Sequence, residues 1–213
     1  MKKKLFVTCL SVMTLSAVPA MATQGYLDLS LGYNKASDAD HVVTNGYDAV
    51  KGHLEYEMGL YTSAAIGVDF GQFRAEGEIG YAASDYEETN SMLRRYGAYD
   101  GEVTSSSVML NGYFDAENNS RFTPYVGLGF GFASIDFTYV NNRLNENSMK
   151  DDDLVLAHQV MVGLEFEINP SVSICAEYRY FGAEDPEFEN EFNETMSTEY
   201  KTNMILASLT LPF

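Results

Sequence analysis

The sequence predicts an all-β protein, an eight-stranded antiparallel up-and-down transmembrane β-barrel with short periplasmic turns and four long external loops, on three observations. Segment after segment alternates apolar and polar residues with period two; short and long connections alternate between those segments; aromatic residues recur at both ends of the apolar faces. No window reaches the roughly 18 consecutive apolar residues of a membrane-crossing helix.

The N-terminal element is read first. Lys2, Lys3 and Lys4 precede an apolar stretch, 5–18, too short to cross a bilayer, and Ala20-Met21-Ala22 supplies the small residues of a signal-peptidase site. Cleavage is expected after Ala22, with Ala20 as the second choice, so that 1–22 is an export signal and 23–213 a single barrel domain. Without the three lysines of the signal, 31 acidic residues face 10 basic ones. Such a balance excludes nucleic acid as a partner, because phosphate backbones need clustered Lys and Arg. Cys175 is then the single remaining cysteine, so no intramolecular disulfide is expected.

Eight strands follow, at about 25–34, 61–70, 73–82, 103–115, 122–137, 154–168, 172–182 and 200–213. In 73–81 one face reads Phe73, Ala75, Gly77, Ile79, Tyr81 and the other Arg74, Glu76, Glu78, Gly80. In 172–181 the apolar side is Val172, Ile174, Ala176, Tyr178, Tyr180, opposed by Ser173, Cys175, Glu177, Arg179, Phe181. Helical spacing would mix these sets. The connections at Gly71-Gln72, 116–121 and Asn169-Pro170-Ser171 are short, whereas 35–60, 83–102, 138–153 and 183–199 are long. Turns on the periplasmic side and loops outside give that alternation.

Period two cannot say which face meets lipid. Aromatics decide it. Phe70, Phe73, Phe114, Phe122, Phe166 and Phe213 lie beside the short turns, and Tyr33, Tyr81, Phe132, Tyr178 and Tyr180 near the long loops, as two interfacial girdles. Phe73 to Tyr81 rises about 26 Å along the strand, roughly 20 Å vertically once tilted, close to the ~25 Å apolar band. The opposite face carries glycines and charges, such as Gly127, Gly129 and Gly131. Apolar-out is the expectation.

With these residues in hand, the chain resembles the opacity-protein-like, small outer-membrane β-barrel family. The resemblance lies in Phe73-Arg74-Ala75-Glu76-Gly77-Glu78-Ile79-Gly80-Tyr81, in Phe122-Thr123-Pro124-Tyr125-Val126-Gly127-Leu128-Gly129-Phe130-Gly131, in Asn169-Pro170-Ser171-Val172-Ser173, in Glu177-Tyr178-Arg179-Tyr180-Phe181, and in the terminal strand ending at Phe213. It implies residence in the bacterial outer membrane and insertion by the barrel-assembly machinery, with Phe213 as the assembly signal. It also implies a surface role as antigen or adhesin, with host surface or matrix molecules as partners.

The strongest polar constellation is the inward set Arg74, Glu76, Glu78, Glu165, Glu177 and Arg179, with Asn111 and Gln159 nearby by register. Eight strands enclose a space just wide enough for side chains, so charges there must pair. A filling ion-pair network is the expectation; a narrow polar conduit for ions or small solutes is the alternative. Glu76 and Glu78 could serve a glycosidase only if a substrate fitted between them, and a filled barrel leaves no room. His41, His53 and His158 fall in no Ser/His/acid arrangement, so no catalytic residue and no cofactor is expected; a membrane-lipid-modifying enzyme is the remote alternative.

The loops are acidic, holding 21 acidic residues against 6 basic ones. Asp151-Asp152-Asp153 and the seven carboxylates of 183–199 lack the alternating ligands and central glycine of a calcium loop, so no metal site is expected. Solvated, mutually repelling loops are the plain reading, and divalent bridging to lipopolysaccharide the functional one. Asn45-Gly46 is expected at a hairpin tip, and Arg94-Arg95-Tyr96 is a candidate contact for anionic sugars. The function expected is an envelope-structural or adhesin-like surface protein.

Intact-mass measurement of the protein from outer membranes checks the export signal: the mature chain is expected to begin at Thr23, and a retained N-terminus overturns that reading.

Overall fold

The structure, a computed structural model, describes residues 24–37, 39–44, 49–88, 99–116, 118–141, 147–184, 187–189, 195–197 and 200–213. The expected signal peptide with Ala20 and Ala22, the Asn45-Gly46 tip and Arg94-Arg95-Tyr96 lie outside the described residues.

Twelve strands run in chain order: β1 (Gln24–Ala36), β2 (Ala39–Thr44), β3 (Ala49–Tyr56), β4 (Met58–Asp69), β5 (Phe73–Glu88), β6 (Tyr99–Asp115), β7 (Phe122–Asn141), β8 (Asn147–Asn169), β9 (Val172–Ala183), β10 (Glu187–Glu189), β11 (Thr195–Ser197) and β12 (Tyr200–Pro212). Eight of them, β1, β4 to β9 and β12, pair antiparallel with their neighbours and close into a barrel through β1 against β12. This is the eight-stranded up-and-down architecture the alternation predicts.

Register fixes the barrel's dimensions. Tyr26 pairs with Gly67, Gly67 with Glu76, Glu76 with Asn111, Asn111 with Gly129, Gly129 with Gln159, Gln159 with Phe181, Phe181 with Thr202, and Thr202 with Ala36. One circuit therefore returns to β1 ten residues beyond its start. With strands about 4.8 Å apart and a rise of about 3.4 Å per residue, that stagger tilts the strands by about 40°.

The alternation sorts side chains as the girdles require. Leu31, Ile66, Ile79, Leu110, Leu128, Phe130 and Ile205 point outward with 58–71% of their surface exposed, although a water-soluble protein would bury such residues. At the turn end Phe73 pairs with Phe114, ring centroids 5.5 Å apart, and Phe122 with Phe166 at 4.8 Å. Arg74, Glu76, Glu78, Glu177 and Arg179 are buried inside.

The short turns have local causes. Gly71 takes φ 90°, a conformation that costs other residues energy, and Asp69 accepts its N–H at 2.6 Å. Asn118 and Asn169 each accept the N–H two residues on, from Ser120 and Ser171. At the end of the chain the Phe213 N–H bonds to the Gly25 carbonyl, and its ring lies over Gly25, where a Cβ would meet the ring at 2.7 Å.

The strands outrun their expected ends on the loop side. β5 continues to Glu88, β7 to Asn141, and β8 begins at Asn147, so that Asp151-Asp152-Asp153 belongs to a strand paired with Phe137-Asp136-Ile135 rather than to a loop. The first long connection holds the hairpin β2–β3, with Thr44 opposite Ala49, and β3 pairs onto β5 at Leu54–Glu88 to Tyr56–Tyr86. Beyond the membrane both faces of the wall meet water, and an alternation that reports lipid against interior fades there while the backbone ladder continues.

Leu128, on the outward midsection of β7, tests the orientation. Leu128→Arg is expected to lower unfolding stability in lipid vesicles by about 2–4 kcal/mol, the cost of a cation at the bilayer midplane; urea titration followed by tryptophan-free circular dichroism measures it.

Candidate functional site: a filled interior beneath the loop end

The inward face is built in layers. Nearest the turns sits Arg74 on β5. Its Nε and Nη2 donate to Asp115 Oδ2 and Oδ1 at 2.8 and 2.9 Å, and its Nη1 lies 3.4 Å from Glu165 Oε2. The guanidinium stands 5.0 Å from the Tyr125 ring centre, 5.1 Å from Tyr113 and 5.9 Å from Tyr26. A bidentate carboxylate and aromatic faces together replace the water this cation has lost.

The middle layer centres on Arg179 of β9, 2% exposed. Its Nε donates to Glu177 Oε1 at 2.8 Å and its Nη1 to Glu78 Oε1 at 2.8 Å and to the Tyr61 hydroxyl at 2.9 Å. Gln159 links the layer sideways, donating to Asn111 Oδ1 at 2.7 Å. Glu76 pairs with no arginine among the described residues. Its oxygens accept from Tyr113 at 2.6 Å, Tyr26 at 3.0 Å and Asn111 at 3.0 Å. Neutral donors thus solvate the carboxylate that the count of arginines leaves over. Tyr125 does the same for Glu177, donating to its Oε2 at 3.0 Å.

Toward the loops the interior turns largely apolar, with Asn34, Ser84 and Thr202 buried in the same region. Ala82, Val103, Met109, Ala133, Ile135, Phe181, Met204 and Leu206 form one buried cluster with Tyr61 and Tyr200, and Ala133 and Ile135 have no exposed surface at all. Two cavities beside Arg74, the smaller also lined by Arg179, measure about 20 and 40 Å³. Each holds a water or two and no substrate.

All six charged residues singled out in the sequence, Arg74, Glu76, Glu78, Glu165, Glu177 and Arg179, therefore point into the barrel, with Glu165 the most exposed at 23%. Sequence reasoning missed Asp115, which shares its face with Asn111 four residues earlier, and the four interior tyrosines Tyr26, Tyr61, Tyr113 and Tyr125. Strand parity was the available signal. Tyr26, Tyr113 and Tyr125 each lie directly opposite a glycine, Gly67, Gly127 and Gly163, where a Cβ would collide with the ring. The inward glycines make room for tyrosines. The largely apolar inner layer toward the loops was not anticipated; charges occupy only part of the inner face, and small and apolar side chains fill the remainder. His158 points outward; the side chains of His41 and His53 lie outside the described ones. No cluster of metal-binding side chains occurs among the described residues.

Comparison with known proteins follows the same lines. Residues 5–213 match the family described as outer membrane protein beta-barrel domain. Major surface antigen 4 of Anaplasma marginale is 25% identical over 179 residues, 82% of this chain and 57% of that protein. Outer membrane protein PagN of Salmonella typhimurium is 28% identical over 86 residues, 38% of this chain and 36% of that protein. The chain spans between about a third and somewhat over half the length of these relatives. Among solved structures, the outer membrane protein OprG from Pseudomonas aeruginosa superposes with a TM-score of 0.59 at 14% identity, covering 90% of this chain and 97% of that one. At that identity the likeness is one of fold.

Arg179→Met is expected to destabilise the barrel by about 3–5 kcal/mol, because Glu78 and Glu177 are left as uncompensated buried charges. Adding Glu78→Gln and Glu177→Gln is expected to recover most of that loss in urea titration; if the triple variant is as unstable as the single one, the arginine acts by size alone.

Proposed function

The chain belongs to the family of outer-membrane β-barrel domains, and from that premise we propose that it is a non-enzymatic surface protein that binds through its acidic external loops. It resides in the bacterial outer membrane and is of the surface-antigen, adhesin-like type. What supports a role for the loops is the filling of everything beneath them. Arg74 and Arg179 are held by carboxylates and tyrosines, and the layer around Ala133 and Ile135 is packed with buried side chains, so recognition falls to the segments above the wall.

Those segments carry most of the acidic residues, and two of them contain hairpins, β2–β3 and β10–β11. A rigid frame beneath loops that are hydrated and repel one another suits contact with host surface or matrix molecules, directly where these are cationic and through divalent ions where they are anionic. Lipopolysaccharide and the barrel-assembly machinery complete the proposed partners, the latter through the strand that ends at Phe213.

The alternative of a narrow channel would need a wet path past Arg179. In planar bilayers the barrel is expected to give no steady current; conductance abolished by Arg74 or Arg179 variants would establish a channel instead. Deleting 39–56, 89–98, 142–146 or 187–197 in turn, in cells assayed for host-cell and matrix binding, tests the loops. One deletion is expected to abolish binding while the barrel keeps its heat-resistant mobility. Unchanged binding in every deletion leaves a structural role only.

A further inference from the structure

The lipid-facing side of the wall is not evenly covered. At two outward glycines, Gly77 and Gly112, nothing lies within 4 Å of where a Cβ would stand, whereas the inward Gly67, Gly127 and Gly163 are overlain by tyrosine rings. Beside Gly112 the wall is indented by a groove of about 570 Å³ that crosses β5 to β8.

Register gives its course. The bank nearer the turns is the row that runs from Phe73 through Phe114 and Val126 to Val162. The opposite bank, two residues nearer the loops, runs from Gly112 through Leu128 to Val160, and at Gly112 it has no side chain at all. The floor is the backbone of the row between them, from Arg74 to Met161, whose side chains point into the barrel. Phe73, Phe114, Val126, Leu128, Val160 and Val162 are each 44–59% exposed, so the groove opens outward.

Depth identifies what meets it. Because one circuit of the rows returns to β1 ten residues nearer the loops, each step from β5 toward β8 climbs; with strands about 4.8 Å apart and tilted by about 40°, the climb is about 3 Å. Three such steps and a rise of two residues put Val160 about 15 Å above Phe73. The groove therefore begins at the turn-end aromatics and ends just past the middle of the ~25 Å apolar band. That is the depth occupied by the acyl chains of one leaflet, the one on the side of the short turns.

We propose that this groove is a docking site for a single acyl chain of a glycerophospholipid in the periplasmic leaflet. Lipid tails are as apolar as Leu and Val, so removal from water does not select the site. Shape does. A chain in the groove touches the floor and both banks, whereas on the rest of the belt it touches the wall from one side, and each carbon pair brought to contact adds a small dispersion gain. Gly112 is the opening through which the chain reaches the floor. The barrel thus carries one ordered phospholipid on the β5–β8 side. The site rests on residence in the outer membrane and is independent of what the loops bind.

The test uses the full mature protein, purified from outer membranes and reconstituted into phosphatidylethanolamine vesicles. A trace of phosphatidylethanolamine bearing a diazirine halfway along one acyl chain is the probe, and crosslinked peptides are located by mass spectrometry after irradiation. Residues 110–128 and 160–162 are expected to be labelled about threefold or more above lipid-facing residues at the same depth on β9, β12 and β1, the effect of several added carbon contacts. Gly112→Leu, which fills the groove, is expected to abolish that enrichment, and Ala207→Leu, on the lipid-facing side of β12, to keep it. Should Gly112→Leu not fold, Gly112→Ala is expected to lower the enrichment about twofold. Even labelling around the wild-type barrel, undiminished enrichment in the folded Gly112→Leu variant, or equal loss in Ala207→Leu overturns the proposal. So does depleted labelling at the groove, as a second barrel copy covering it would cause, or stronger enrichment by a lipid A probe.

Discussion

Closure of β1 on β12 is the constraint from which the remaining features follow. Inside a bilayer no water is present to satisfy a free N–H or C=O, so a sheet survives there only if its first strand hydrogen-bonds to its last. Here Tyr26 to Ala36 pair with Pro212 to Thr202 without a break, and the Phe213 N–H adds one more bond to Gly25. The ten-residue stagger accumulated over one circuit sets the tilt. Tilt and strand number together set a bore that side chains must fill.

That bore explains why charges occur where burial is most expensive. The outward face must be apolar along its whole membrane depth, leaving the inward face as the one place for the polar residues that keep a period-two chain from being hydrophobic on both sides. Two arginines among carboxylates are tolerated because each guanidinium is held by carboxylates and tyrosines, Arg74 by Asp115 and three tyrosine rings, Arg179 by Glu78, Glu177 and Tyr61. Such networks contribute less to stability than their number of contacts suggests, since desolvation offsets most of the attraction. What they add is specificity of register: a slip by one residue would turn Arg179 and Glu78 toward lipid.

The outer girdle reflects a second field, that of the headgroups. Tyr33, Tyr178 and Tyr180 stand on one wall with Lys35, Lys201, His158 and Glu184, at the loop end of a largely apolar lipid-facing belt. Only the circular order of the strands brings residues as distant in the chain as Lys35, His158 and Lys201 to one side.

Much was legible in the residues themselves. Alternation in 73–81 and 172–181 assigned Arg74, Glu76, Glu78, Glu177 and Arg179 to one face, and aromatics at the strand ends turned the other face to lipid; both follow from local geometry, because side chains alternate along any strand whatever its neighbours. Pairing partners did not follow. That Glu76 is held by Tyr26, Tyr113 and Asn111, that Asp115 clasps Arg74, that glycines stand opposite tyrosines, and that a largely apolar layer fills the bore beneath the loops are consequences of register. So is the extension of β5, β7 and β8 beyond the membrane, where no alternation marks the strand. A single strand records which of two faces each residue joins; which residue it meets there is decided by how eight tilted strands are staggered around a closed circle.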